Sequence, residues 1–205
     1  MSSNLVKSDR FGLIILAAGE SARMGKPKQL LEFKGESLLR RAVRSAAGSA
    51  CGNVAVVLGA NFEILKKELA GFDVEIVRNR GWEKGMGGSI RAGLATLCGK
   101  NKSLRAVVIT VCDQPFADAK LIDDLIAKYL ETRAPVVASA YSETLGVPAI
   151  FDQTLFAELA ALDGEKGAKA VIQKHSASAV SIAFPEGKFD IDTPEDYSRL
   201  PGFFG

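Results

Sequence analysis

Several groups of side chains in this sequence have types and spacings suited to phosphate chemistry. The first is Leu16-Ala17-Ala18-Gly19-Glu20-Ser21-Ala22-Arg23-Met24-Gly25-Lys26-Pro27-Lys28. An apolar run from Phe11 to Leu16, broken only by Gly12, opens here into small residues. Backbone N–H groups in such a loop can approach a ligand closely, and glycine permits the positive φ angles that turn them to one side. Arg23, Lys26 and Lys28 add positive charge within reach. A guanidinium grips two phosphate oxygens through its planar fork, whereas an ammonium is a compact point charge. The combination suits an anion with several phosphates; the alternative is an ordinary strand-to-helix turn with solvated cations. Its spacing is neither Gly-x-Gly-x-x-Gly nor Gly-x-x-x-x-Gly-Lys-Ser/Thr, which counts against a dinucleotide-binding Rossmann enzyme and a P-loop ATPase.

The second group is acidic. Asp113, in Val111-Cys112-Asp113-Gln114-Pro115, directly follows an apolar strand-like run. A carboxylate there projects into a ligand crevice and could hold Mg²⁺ through one or two oxygens, with phosphate and water completing the octahedron. The alternative is capping of the next helix, a position that Asp118 already suits. In Phe189-Asp190-Ile191-Asp192-Thr193-Pro194-Glu195-Asp196, an extended chain would turn Asp190 and Asp192 to one side and Ile191 to the other. The alternative is a solvated acidic turn, and convergence with Asp113 would decide between them. The third group, Gly85-Met86-Gly87-Gly88-Ser89, opens a helix whose N-terminus attracts anions or a polar base edge. Trp82 just before it either stacks on a planar ligand or packs. Arg78, Arg80, Lys84 and Arg91 surround this second glycine-rich turn.

The elements that must position these groups alternate between strand and helix. Strands are expected at Phe11 to Leu16, Val54 to Leu58, Val74 to Val77, Ala106 to Val111, Val136 to Ala140, Pro148 to Phe151 and Val180 to Phe184. Helices are expected from Ser37 as N-cap through Ala47, near Phe62 to Leu69, from the second glycine-rich turn through Leu97, and from Asp118 through Leu130. Further helices run from Asp152 or Thr154 to Leu162, from Ala168 to Lys174, and after Thr193, which caps with Pro194 first and Asp196 third. This alternation predicts a single doubly wound, mostly parallel α/β sheet sandwiched by helices, with ligands beyond the carboxyl ends of the strands. Residues 1–10 are expected to be a flexible tail and 11–205 one domain.

The 205 residues have an apolar fraction sufficient for a full core without disulfide or metal staples. No apolar run approaches the ~20 residues of a membrane span, and the polar start does not resemble a signal peptide, so a cytoplasmic protein is expected. Cys51, Cys98 and Cys112 form no Cys-x-x-Cys pair and are expected to be reduced core residues. His175, the only histidine, is expected to cap carbonyls at the end of its helix. A net charge of +2 and the lack of a basic stripe with aromatics argue against nucleic acid as partner.

Taken together, the motifs resemble the MobA-like nucleotidyltransferases of molybdenum cofactor synthesis, and within them the cytidylyltransferase branch. The resemblance rests on Leu16 to Gly25 with Pro27-Lys28, Gly85 to Ser89, Asp113-Gln114-Pro115, Gly146-x-Pro148-x-x-Phe151, Gly164 to Ala168, and Asp190 to Asp196. It implies CTP over the first loop, with Leu16, Ala17, Ala18, Gly19 and Ser21 lining it and Arg23 and Lys28 on its phosphates. It implies Mg²⁺ on Asp113 and Asp192, and a base and ribose pocket from Asn79, Gly85, Met86 and Ser89. The catalytic set would be Arg23, Lys28 and Asp113. The terminal phosphate of molybdopterin, a phosphorylated pterin, would attack the α-phosphorus and expel pyrophosphate, a displacement that needs positioning and charge neutralisation but no histidine base. A molybdenum hydroxylase would receive the product. The related guanylyltransferases resemble Gly-Pro-Leu-Ala-Gly where this chain has Met86 and Ser89, which favours cytosine. Gly164-Glu165-Lys166-Gly167-Ala168-Lys169 departs from the usual Gly-Asp-x-Gly-Ala-Arg, and lysine cannot copy a bidentate arginine. The alternatives are a guanylyltransferase, a cytidylyltransferase with a sugar or polyol phosphate acceptor, and a non-catalytic carrier of the molybdenum cofactor.

Overall fold

The structure, a computed structural model, describes residues 6–200. The apolar run forms strand β1 (Ser8–Ala17), whose last seven residues are all buried. A short hairpin of β2 (Glu32–Phe33) and β3 (Glu36–Ser37) leads into helix α1 (Leu38–Ala47), where the Ser37 side chain accepts a hydrogen bond from the Arg40 N–H. Then follow β4 (Cys51–Leu58), α2 (Phe62–Glu68), β5 (Glu75–Arg78), α3 (Met86–Lys100) and β6 (Ala106–Val111). Asp118 caps α4 (Ala119–Thr132) through the Leu121 N–H. The chain ends with β7 (Val136–Tyr141), β8 (Thr144–Asp152), α5 (Phe156–Ala160), α6 (Ala168–Lys174), β9 (Val180–Ala183) and α7 (Pro194–Ser198).

Seven strands form one sheet in the order β5-β4-β1-β6-β8-β7-β9. Only β8 runs against its neighbours, so the sheet is mostly parallel, as expected. The chain leaves β1 toward β4 and β5 and then returns to β6 on the other side of β1. That reversal opens a crevice at the carboxyl ends of β1 and β6, where doubly wound sheets take ligands. Alternation along β1 supplies both core layers. Leu13, Ile15 and Ala17 pack with Leu39, Leu65 and Leu125 of α1, α2 and α4. Ile14 and Leu16 pack with Ile90, Leu159 and Ile172 of α3, α5 and α6. At Gly93 a Cβ would stand 2.8 Å from Ile14 Cγ2, so this position lets α3 lie directly on the sheet.

Some boundaries differ from expectation. β1 starts at Ser8, inside the segment expected as a tail, because Ser8 pairs with Cys51 of β4; residues 1–5 lie outside the described residues. The strand expected at Pro148 begins at Thr144, since Ser142 and Glu143 take left-handed φ angles of 47° and 59° and close a tight β7–β8 hairpin. The helix expected to reach Leu162 splits into a 3-10 turn at Gln153–Leu155 and the short α5. Among the described residues no helix is long and apolar enough to cross a membrane.

Candidate functional site

Beyond β1 the chain makes two 3-10 turns, Ala22–Met24 and Lys28–Leu30, entered through Ser21 at φ 64° and separated by Gly25 at φ 66°. Met24 is buried among Leu31, Phe33, Leu38 and Ile191. This apolar cluster ties the first loop to the segment before α7. With Ile191 inside it, Asp190 and Asp192 both line the cleft on the other side, the alternation expected of an extended chain. The Ile191 N–H donates to the Asp113 carbonyl at 3.1 Å, which registers this segment on the end of β6. Thr193 and Asp196 form a capping box, and Asp196 Oδ2 also accepts from the Asp192 N–H at 3.2 Å.

Lys28 therefore meets two carboxylates that are remote in sequence. Its Nζ lies 2.5 Å from Asp113 Oδ2 and 2.7 Å from Asp192 Oδ1. Burial by itself would lower the Lys28 pKa; the Asp113 charge and the two hydrogen bonds outweigh it and hold the ammonium well above its ordinary value. The Asp113 Oδ1 atom is buried with no partner. Arg23 stands at the rim, mostly in solvent, 3.9 Å from Asp192 Oδ2. Partial desolvation at the cleft wall, and then the neighbouring Asp113 charge, push Asp190 up to about 6, although much of its surface still meets solvent.

Two lobes meet at this ion pair. One, of about 320 Å³, is lined by Leu16, Ala17, Ala18, Gly19, Trp82, Gly85, Met86 and Ser89. The other, of about 410 Å³, is lined by Gln114, Tyr141, Glu165, Lys169, Asp190 and Asp192. Leu16, Lys28, Met86, Val111 and Asp113 belong to both. Gly85 opens α3 at φ 107°, in the left-handed half of backbone space, and a side chain there would collide with the Gly164 carbonyl. Trp82 stands directly over Gly59, where a Cβ would come within 2.5 Å of its Cβ, and forms a wall of the first lobe.

Other candidates sit back from the cleft. Asn79 donates to Ser89 Oγ at 2.9 Å and accepts from the Gly81 N–H at 3.0 Å, so it buttresses Ser89 and lines neither lobe. Ser21 is likewise behind the wall, accepting from the Lys28 N–H at 3.0 Å. Lys26 turns away and lies over the Tyr197 ring, 5.9 Å from its centre. In the second cationic group Arg78 stacks on Phe62 and pairs with Glu63. His175 does not cap carbonyls with its ring; Nε2 lies 2.9 Å from Glu158 Oε2, away from both lobes. Burial pushes the Cys51 and Cys112 thiols up to about 12, so neither is a thiolate at neutral pH. Sequence reasoning missed Gln29, Gln114 and Tyr141. Gln114 stood inside the Asp113-Gln114-Pro115 motif and Gln29 directly followed Lys28, whereas Tyr141 carried no signal.

A family model described as the MobA-like NTP transferase domain matches residues 13–179. The chain belongs to the MobA-like NTP transferase family. It is a nucleotidyltransferase. It is 31% identical over 200 residues to the purine catabolism protein PucB of Bacillus subtilis, covering 91% of this chain and 94% of that one. It is 29% identical over 198 residues to the nicotine blue oxidoreductase of Paenarthrobacter nicotinovorans, with the same shares of 91% and 94%. The molybdenum cofactor guanylyltransferase of Rhodobacter capsulatus is 29% identical over 195 residues, covering 93% and 94%. Among solved structures, Rv0371c of Mycobacterium tuberculosis H37Rv superposes with a TM-score of 0.78 at 26% identity, covering 93% of this chain and 97% of that one. The complex of Rv0371c with manganese gives a TM-score of 0.74 at 25% identity, over 93% and 97%.

Proposed function

We propose that this nucleotidyltransferase moves CMP from CTP to the terminal phosphate of a molybdopterin-type pterin and releases pyrophosphate. The observation that carries the reading is the shared wall of the two lobes. A nucleoside triphosphate over Ala17 to Gly19, with its base toward Gly85, Met86 and Ser89, would bring its α-phosphorus to Lys28 and Asp113. An acceptor in the second lobe reaches the same two residues from the other side. The acceptor's phosphate oxygen forms the new bond to the α-phosphorus as the bond to the β-phosphate breaks, and the electron pair leaves on pyrophosphate. Lys28 and Arg23 neutralise the charge that shifts onto the departing oxygens. No side chain need take a proton, because the attacking phosphate is already anionic.

The residues fit a divalent cation. Asp113 Oδ1 is a buried carboxylate oxygen without a partner. Asp113, Asp190 and Asp192 also outnumber Lys28 and Arg23 by one charge, a surplus that would repel a triphosphate. Asp113 and Asp192 would hold Mg²⁺, which commonly takes one or two protein carboxylates. When bound, it would screen the transferring phosphoryl group. Met86 and Ser89 support cytosine over guanine. The guanylyltransferase among the relatives supports GTP as the second reading.

Pyrophosphate release from CTP, GTP, ATP and UTP with Mg²⁺ and molybdopterin, with and without metal loading of the pterin, tests the proposal. Release with CTP alone, lost in Asp113→Ala, is the expected result. Release with GTP alone would transfer the same chemistry to the second reading, and no release with any nucleotide would overturn both.

A further inference from the structure

Gln29 is 1% exposed, the most deeply buried polar side chain of the first loop, and its hydrogen-bonding atoms turn toward that loop. Its Nε2 donates to the Gly19 carbonyl at 2.8 Å and to the Ala17 carbonyl at 3.2 Å. Its Oε1 accepts from Ser21 Oγ at 3.3 Å, and that hydroxyl accepts from the Lys28 N–H at 3.0 Å. One amide thus closes a ring of contacts from the end of β1 through Ser21 to the backbone of Lys28. Because a trans peptide points its C=O and the following N–H in opposite directions, drawing the Ala17 and Gly19 carbonyls inward turns the Ala18 and Glu20 N–H groups away from Gln29. Ser21 stays at φ 64°, a conformation that a non-glycine residue keeps only when its surroundings hold it there.

We propose that Gln29 is the positioning residue of the reaction: it holds Ala17 to Ser21 in the conformation that receives the nucleotide phosphates and fixes the backbone from which Lys28 reaches the cleft. The inference rests on the nucleotidyltransferase reading of this loop, but its consequence for the free protein does not. Leucine at position 29 keeps the volume and leaves the carbonyls without a donor. Glutamate keeps the shape, loses the donor while ionised, and regains one when protonated.

The test pairs amide hydrogen exchange of the free protein with equilibrium binding of CTP and GTP in the presence of Mg²⁺. In Gln29→Leu, peptides covering residues 17–28 are expected to exchange at least tenfold faster while those of β1 and β6 keep their protection. Affinity for whichever nucleotide the unmodified protein binds is expected to fall at least tenfold. In Gln29→Glu, the affinity relative to the unmodified protein is expected to be low at pH 8 and to recover severalfold by pH 5.5. Unmodified loop exchange together with unmodified affinity in Gln29→Leu would overturn the inference. If that variant does not fold, a pH-independent ratio in Gln29→Glu would overturn it instead. An unmodified protein that binds neither nucleotide would remove the nucleotide reading, while the exchange result would still decide whether Gln29 holds the loop.

Discussion

Burial ordinarily makes an ammonium easier to deprotonate, yet Lys28 is driven the other way by the Asp113 charge and by the hydrogen bonds it donates to both aspartates. A lysine whose folded pKa is raised contributes stability below its unfolded value of about 10.4, and the contribution disappears only as the pH rises through the higher folded value. Nucleotide affinity should therefore show no loss from Lys28 titration up to about pH 10. An alkaline limb near pH 9 that moves upward in Lys28→Arg would contradict this. Lys28→Ala leaves Asp113 and Asp192 facing each other without a cation between them. It should lower stability by about 3 kcal/mol, the range for breaking a mostly buried pair, and abolish pyrophosphate release; denaturant unfolding and turnover measure the two separately. The Asp190 pKa is raised as well, but there the fold favours the neutral form of the group rather than the charged one. Its raised pKa means that stability falls as the pH rises from its unfolded value toward about 6, with the full penalty present above that. Asp190→Asn should raise the Tm at pH 8 and leave it unchanged near pH 4, by an amount that solvent contact screens to about 1 kcal/mol or less.

At the scale of elements, the strands beside the site were the most legible. β6 spans the expected Ala106 to Val111, and Asp118, Ser37 and Thr193 cap the helices assigned to them. These signals are local: an uninterrupted apolar run, or a capping side chain three residues before its N–H. The β7–β8 hairpin was not legible, because Ser142 and Glu143 adopt left-handed angles without a glycine to announce them. The contacts of Lys28 with Asp113 and Asp192 cross 85 and 164 positions of chain, so no local pattern encodes them. They depend on Ile191, whose burial beside Met24 carries Asp192 to the first loop. Ile191→Ala should cost about 2–4 kcal/mol as a buried large-to-small change, and should lower activity further by loosening Asp192. Thr193→Ala removes only the cap, with an expected cost of about 1 kcal/mol. If Asp192 acts through its placement, both variants should lose affinity for the metal and nucleotide together, measured by titrating Mg²⁺ at fixed CTP.

Across the whole molecule, the crevice lies where the strand order reverses, and the two core layers reach it only at their edge, as with Leu16 and Ala17 at the end of β1. The sheet presents the first loop from β1 and Asp113 from β6, while the segment before α7 closes the set from the far end of the chain. Three carboxylates and two cations leave that meeting point one charge negative, so the folded protein alone is a poor receptor for a triphosphate. Binding should therefore be strongly interdependent: nucleotide without a divalent cation, or the cation without nucleotide, should each shift the Tm only slightly. Together, at about 100 times the apparent Kd, they should stabilise the protein by about 2.7 kcal/mol. For a chain of this length that corresponds to a rise of roughly 5–10 °C. Chelation should return the Tm to that of the free protein, and Asp113→Ala should show no joint shift. A full shift by CTP or GTP in the presence of chelator would mean that Lys28 and Arg23 suffice without a metal, and would place the role of Asp113 in holding Lys28 alone.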